Sequence, residues 1–97
     1  MNASVAIKSV PGVIEEEEII RIVDEVIAYI QGTGLTCFVG PSETAIEGDY
    51  EQLMEVIKQC QYVAIKAGAP SVDAYVKISY KPEGETLTIE KKLSKYQ

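Results

Sequence analysis

Two different spacings of hydrophobic residues divide the first third of this 97-residue chain. Apolar and polar residues alternate from Val5 to Ser9, and the alternation stops at Pro11-Gly12, which predicts a first β-strand. The next segment, EEEEIIRIVDEVIAYIQGTG (15–34), repeats its apolar residues at helical spacing. Four glutamates lie where the positive end of the helix dipole would be, and two glycines lie near its end. The sequence therefore opens with a strand followed by a long amphipathic helix.

The remaining pattern predicts three more strands and two more helices. LTCFVG (35–40) and TAIEG (44–48) are typical of strands joined by a short Gly-Pro-Ser-Glu turn. DYEQLMEVIKQCQYVAIKAG (49–68) predicts a second helix, with Asp49 as its N-cap and Gln52 placed as in a capping box. VDAYVKISYK (72–81) alternates strictly and predicts the fourth strand. TLTIEKKLSKYQ (86–97) predicts a short amphipathic helix, for which Thr88 is a candidate cap.

The order of these elements predicts the fold class. A β-α-β-β-α-β order with right-handed crossovers gives an antiparallel four-stranded sheet with both helices on one face. We therefore expect an α+β, ferredoxin-like domain that spans residues 1–97, with an additional C-terminal helix. In this topology the first and third strands lie side by side at the centre of the sheet, and the other face of the sheet is open.

Period-two alternation assigns side chains to that open face. If Ile46 faces the helices, its neighbours face the other way, together with the matching positions of the first and fourth strands: Ala6, Lys8, Ala45, Glu47, Tyr75 and Lys77. Two interpretations of Glu47 stay open. It forms an ion pair with Lys8 or Lys77, or it accepts hydrogen bonds from a ligand, and both hold if the pair lies at a subunit interface.

Composition excludes several classes of function. The chain has 15 acidic and 9 basic residues, and its net charge of −6 disfavours nucleic acid as a partner. It has neither a signal-peptide pattern nor an apolar run near the roughly 20 residues that a membrane span needs, so we expect a cytoplasmic protein with no membrane partner. With no histidine, and with Cys37 and Cys60 on separate elements, we expect no metal site, no cofactor and no obligatory disulfide.

Four segments carry a resemblance to a known family. They are SVAIKSVPG at the start, GLTCFVGPSETAIEGDYEQLMEVIK in the middle, VKISYK in the last strand and TIEKKLSKY near the end. Over nearly its whole length the chain resembles the small thiamine-binding proteins related to YkoF. The resemblance implies a ferredoxin-like fold, homo-oligomers built partly by sheet packing, and binding of thiamine or its hydroxymethylpyrimidine moiety.

Carried over by the resemblance, the candidate ligand-binding residues are Phe38, Ser42, Glu43, Thr44 and Glu47. Phe38 is the candidate stacking surface for an aromatic ring, and the others are candidate polar contacts. Ordinary turn chemistry is the alternative for Ser42 and Thr44, and plain packing is the alternative for Phe38.

Two functions compete at this point. The first is a non-catalytic binding protein for thiamine or hydroxymethylpyrimidine, and the second is a structural or regulatory homo-oligomer without a small ligand. An enzyme is disfavoured, because no arrangement of nucleophile and base is evident and both cysteines lie where core residues are expected. We also expect a dimer or tetramer that associates through the open sheet face, which is too apolar to stay bare on so small a domain.

Overall fold

The computed structural model describes residues 2–83 and 88–94 of the chain. Its strands are β1 (Ala3–Pro11), β2 (Cys37–Val39), β3 (Thr44–Gly48) and β4 (Val72–Tyr80). Its helices are α1 (Glu16–Gly32), α2 (Tyr50–Lys66) and α3 (Ile89–Ser94). The predicted succession of elements is confirmed. The first two and the last three residues of the predicted terminal helix, 86–87 and 95–97, lie outside the described residues.

The four strands form one antiparallel sheet in the order β2-β3-β1-β4. This confirms the α+β fold class and the central position of β1 and β3. Side chains from one face of the sheet pack with α1 and α2 into the core, whose largest fully buried members are Ile22, Ile30, Ile46, Leu53 and Cys60. No helix in residues 2–83 and 88–94 is long and apolar enough to cross a membrane.

The ends of α1 and α2 test the predicted helix stop and the predicted helix cap. Thr33 follows α1 and its hydroxyl donates to Ile30 O at 2.6 Å, and Gly34 then adopts a φ of 76°, as a glycine stop allows. Asp49 occupies the N-cap position of α2, but within the described residues its side chain does not cap the helix. The Tyr50 N–H donates instead to Asn2 Oδ1 at 2.9 Å. The predicted capping box is therefore wrong, because the Asp49 side chain makes no capping hydrogen bond and Asn2, the residue before β1, accepts the first N–H of the helix.

Candidate functional site

The strand register fixes which residues share the open face. Ala6 lies opposite Ala45 on β3 and opposite Lys77 on β4, and Lys8 lies opposite Tyr75. Val5 and Ile46, one position away, are 2% and 0% exposed on the helix side. The predicted assignment of residues to the open face is confirmed.

Glu47 holds α3 against this face. Glu47 Oε2 accepts the Ile89 N–H at 2.9 Å, at the first residue of α3. Thr88 Oγ1 accepts the Lys91 N–H at 3.1 Å, which confirms Thr88 as the cap of this helix. The carboxylate therefore satisfies one of the backbone donors that a helix leaves unpaired at its N-terminus. Within one chain, neither Lys8 nor Lys77 lies within 4 Å of the Glu47 carboxylate, since the ion pair at that distance among the described residues is Arg21–Glu18. An ion pair of Glu47 across a subunit interface stays a prediction.

Between α3 and the sheet runs a shallow depression, which we call the open-face groove. Its volume is about 210 Å³. It is lined by Ser4, Val5, Ala6, Phe38, Glu43, Ala45, Lys77, Ser79, Ile89, Lys92 and Leu93. Phe38 lies on β2, the edge strand, and is 45% exposed, so its ring is not packed into the core. The groove offers a flat alanine floor, one aromatic ring and charges of both signs.

The turn between β2 and β3 leads to the other face of the sheet. The Gly40 N–H donates to Glu43 O at 2.9 Å and closes the turn. A Cβ at position 40 would lie 3.0 Å from that same carbonyl oxygen, so glycine allows the two backbones to approach this closely. The turn carries Ser42 and Glu43 to the end of β3, where Thr44 is only 5% exposed on the helix side.

At that end of the sheet, α1, β1 and the turn enclose a second depression, which we call the helix-side cavity. Its volume is about 200 Å³. Its apolar wall is Ile7, Val23, Val26, Ile27 and Ile30, and the rest of its lining comes from Lys8, Ser9, Gly40, Pro41, Ser42, Glu43 and Thr44. Hydroxyl groups on one side and branched aliphatic side chains on the other are the composition of a site for a small, partly polar ring.

Ser9 is the unusual member of this lining. Its Oγ is fully buried, and it has no hydrogen-bond partner in the part of the chain that the structure describes. Buried hydroxyls are nearly always hydrogen-bonded, because leaving one unpaired costs about 1–3 kcal/mol. Ser9 is also one of the residues that line the helix-side cavity. A ligand or a water molecule that reached its hydroxyl would supply the hydrogen bond that it lacks.

The structure separates the five residues predicted from the sequence. Ser42 and Thr44 line the helix-side cavity, Phe38 lines the open-face groove, and Glu43 borders both. Glu47 contacts α3. Thr44 and Glu47 are therefore not parts of one pocket, since they lie on opposite faces of β3, and a direct ligand role for Glu47 stays a prediction. Sequence reasoning missed Ser9, although a serine that follows Ile7 on the inward face of the first strand was the available signal.

The two cysteines lie in different surroundings. Cys60 is fully buried in α2, and burial raises the pKa of its thiol to about 11. Cys37 is half-buried at the start of β2, and neither cysteine is in a disulfide. No group of three or more acidic or cysteine side chains in the described residues could hold a metal ion. At neutral pH the Cys60 thiol is protonated, so it behaves as a small core residue.

The contact between Glu47 and α3 makes a testable prediction. Glu47→Ala removes the acceptor of the Ile89 N–H, and we expect the free energy of unfolding to fall by about 1 kcal/mol. Amide exchange at Ile89 should accelerate, because α3 loses its attachment to β3. Glu47→Gln keeps one acceptor oxygen, so it should change both the free energy of unfolding and the amide exchange at Ile89 by less than Glu47→Ala does. Unfolding by denaturant and hydrogen exchange measure the two effects.

The same variants test the ligand role predicted for Glu47. If Glu47→Gln left exchange at Ile89 unchanged but weakened thiamine binding by about tenfold, the carboxylate would be a ligand acceptor rather than an anchor for α3. If Glu47 instead anchors α3, Glu47→Gln should accelerate amide exchange at Ile89 and leave the affinity for thiamine nearly unchanged.

Comparisons with known proteins find relatives that are similar to this chain in sequence and in structure. The chain is 39% identical over 96 residues to a UPF0045 protein of Clostridium perfringens, and the match covers 99% of this chain and 98% of the relative. It superposes on the structure of a DUF77 domain of unknown function from Bacillus cereus with a TM-score of 0.89 and 31% identity, covering 100% of this chain and 91% of that one.

A third relative has a name connected with thiamine. This candidate thiamine biosynthesis/salvage protein from Thermotoga maritima is 35% identical, with a TM-score of 0.84 and complete coverage of both chains. The model of the family described as thiamine-binding protein matches residues 5–97. These matches span nearly the whole chain, which is therefore a member of the thiamine-binding protein family.

Proposed function

We propose that this chain is a non-catalytic binding protein for thiamine or its hydroxymethylpyrimidine moiety, and that the pyrimidine ring occupies the helix-side cavity. The unpaired, buried Ser9 Oγ carries this proposal. Ligand pockets present a few polar groups among apolar walls, and here an unsatisfied hydroxyl lies beside two more hydroxyl-bearing residues, Ser42 and Thr44.

The chemistry of an aminopyrimidine suits this lining. Its ring nitrogens accept hydrogen bonds and its amino group donates them, and a serine or threonine hydroxyl can do either. Glu43 adds an ionised acceptor at the rim of the cavity. The methyl-bearing edge of the ring would contact Val23 and Ile27 of α1, where burial of apolar surface is favourable.

Cavity size favours the pyrimidine over the whole vitamin. Pockets for drug-sized ligands span about 300–1,000 Å³, whereas the helix-side cavity holds about 200 Å³. We therefore expect the thiazolium ring of thiamine to extend out of the cavity. Its positive charge would be favoured by a protein with a net charge of −6.

A pair of serine variants tests the location. Ser9→Ala removes the unpaired hydroxyl, so the free protein should be as stable as the parent or slightly more stable, while hydroxymethylpyrimidine binds about tenfold more weakly. Ser79→Ala makes the same chemical change in the open-face groove and should leave affinity within about twofold. Titration calorimetry measures affinity, and thermal unfolding measures stability.

The opposite pattern would contradict the proposal. If Ser79→Ala weakened binding and Ser9→Ala did not, the ligand would bind in the open-face groove. If neither hydroxymethylpyrimidine nor thiamine bound the parent protein at millimolar concentration, a homo-oligomer without a small ligand would be the better account.

A further inference from the structure

The open-face groove contains polar groups that no contact among the described residues uses. Ser4 lines the groove and is only 7% exposed, yet its hydroxyl makes no hydrogen bond within residues 2–83 and 88–94. Lys77 of β4 and Lys92 of α3 also line the groove, and neither forms an ion pair in that part of the chain. A largely buried hydroxyl without a partner is costly, so this part of the groove favours a ligand that accepts hydrogen bonds.

One row of side chains across the sheet gives the groove a flat floor. Ala45 of β3 lies opposite Phe38 of β2 on one side and opposite Ala6 of β1 on the other. Ala6 in turn lies opposite Lys77 of β4. Since neighbouring strands are about 4.8 Å apart, about 14 Å separates the backbones of Phe38 and Lys77. An aromatic ring on the two alanines could therefore contact Phe38 while a substituent of the ring reaches Lys77.

The neighbouring row supplies hydrogen-bond donors. Ser4 lies opposite Ser79, two residues along β1 and β4 from the first row, so both side chains are on the same face of the sheet as Lys77. Lys92 reaches the same groove from α3. Two ammonium groups and two hydroxyls can all donate, and a phosphate monoester offers three acceptor oxygens and a charge of about −1.5 to −2 at pH 7. This end of the groove therefore suits a phosphate.

The acidic side chains on this face lie away from the two lysines. Glu47 lies on β3, two strands from β4, so about 10 Å separates its backbone from that of Ser79. Glu43 also lines the groove, but it precedes β3 and lies toward the opposite end of that strand from Glu47. Exposed charges more than about 8 Å apart are largely screened at physiological ionic strength. The lysines, rather than the net charge of −6, therefore dominate the potential beside Ser79.

We propose that the open-face groove is a second binding site, separate from the helix-side cavity, for a single aromatic ring that carries a phosphate group. The ring lies on the alanine floor beside Phe38, and the phosphate accepts hydrogen bonds from Lys77, Lys92 and the two serines. The groove holds about 210 Å³, below the roughly 300–1,000 Å³ of pockets for drug-sized ligands, which limits the ligand to one ring. Because one lysine belongs to α3 and the other to β4, the ligand links the helix to the sheet.

Titration calorimetry with phenyl phosphate tests this site, and phenol and inorganic phosphate serve as the two halves of the probe. We expect phenyl phosphate to bind at least tenfold more tightly than either half, because it alone uses the alanine floor and the lysines together. Lys77→Gln and Lys92→Gln should each weaken its binding about tenfold. Lys91→Gln makes the same change one position away on α3, outside the groove lining, and should leave affinity within about twofold.

Amide exchange at Ile89 gives a second readout, since the Ile89 N–H donates to Glu47 and reports the attachment of α3. Phenyl phosphate should slow this exchange in the parent protein and in Lys91→Gln, but not in Lys92→Gln.

Several results would overturn the proposal. The first is a parent protein that does not bind phenyl phosphate at millimolar concentration. The second is an equal loss of affinity in Lys91→Gln and Lys92→Gln, which would indicate unspecific attraction between charges. The third is phenol or inorganic phosphate that binds as tightly as phenyl phosphate. Displacement of phenyl phosphate by hydroxymethylpyrimidine would contradict a site separate from the helix-side cavity.

Discussion

Replacing Ile46 by alanine is expected to lower the free energy of unfolding by about 2–5 kcal/mol, the usual cost of truncating a buried isoleucine. Ile46 is 0% exposed and lies at the centre of β3, opposite Val5 on β1 and Cys37 on β2. The variant leaves a cavity beneath both helices that the rigid sheet cannot close. Unfolding by denaturant, followed by circular dichroism, measures the change.

Ile14→Ala is the matched control for this truncation. Ile14 is 98% exposed in the segment between β1 and α1, so the same chemical change should alter stability by less than about 0.5 kcal/mol. A loss of less than about 1 kcal/mol for Ile46→Ala would mean that β3 is not the centre of the core.

Stability is expected to fall steeply between pH 9 and pH 11 because of Cys60. Burial raises the pKa of this thiol from 9.0 to about 11, since the interior disfavours the thiolate. The contribution is fully present below pH 9, the pKa in the unfolded chain, and is lost as the pH rises through the folded pKa of about 11. Raising the pKa of this thiol from 9.0 to about 11 is equivalent to about 2–3 kcal/mol of stability.

Cys60→Ala isolates this contribution from the titration of tyrosines and lysines, which both proteins share. The variant should be less stable at pH 7 because it opens a small cavity, yet it should lose less stability between pH 9 and pH 11. Cys37→Ala, at a half-buried position, serves as the control. Equal slopes for the parent protein and Cys60→Ala over this pH range would show that Cys60 titrates in the folded state as it does in the unfolded chain.

Hydrophobic periodicity was sufficient to predict the fold. Alternation in β4 and helical spacing in α1 and α2 are local patterns, and the connection rules for strands and helices determine the topology that joins them. Gly34 marked the end of α1 for the same local reason, because its positive φ favours glycine. Such features can be predicted from the sequence because a few neighbouring residues determine them.

Contacts between distant segments could not be predicted from local sequence patterns. The Asn2 side chain caps α2 from 48 positions away, and Glu47 meets α3 from 42 positions away. Neither partner can be deduced from local spacing, because each depends on how the whole chain folds back on itself. The residues of the predicted site lie on two faces of the sheet for a simpler reason. Alternation already places Thr44 and Glu47 on opposite faces of one strand, so a single pocket could not contain both side chains.

The sequence predicts association through the open face of the sheet. In the structure, α3 covers part of that face by packing against β3. Association through the remaining open face stays a prediction.

The most direct test of the proposed ligand site is a nuclear magnetic resonance titration of the ¹⁵N-labelled parent protein with hydroxymethylpyrimidine. Our account predicts that amide shifts concentrate at Ser9, Thr44, the turn that carries Ser42, and Val23 and Ile27 of α1. The open-face residues Ala6, Ala45 and Ser79 should move little. Shifts concentrated on those open-face residues and on α3, with Ser9 and Thr44 unmoved, would contradict the central claim that the helix-side cavity binds the pyrimidine.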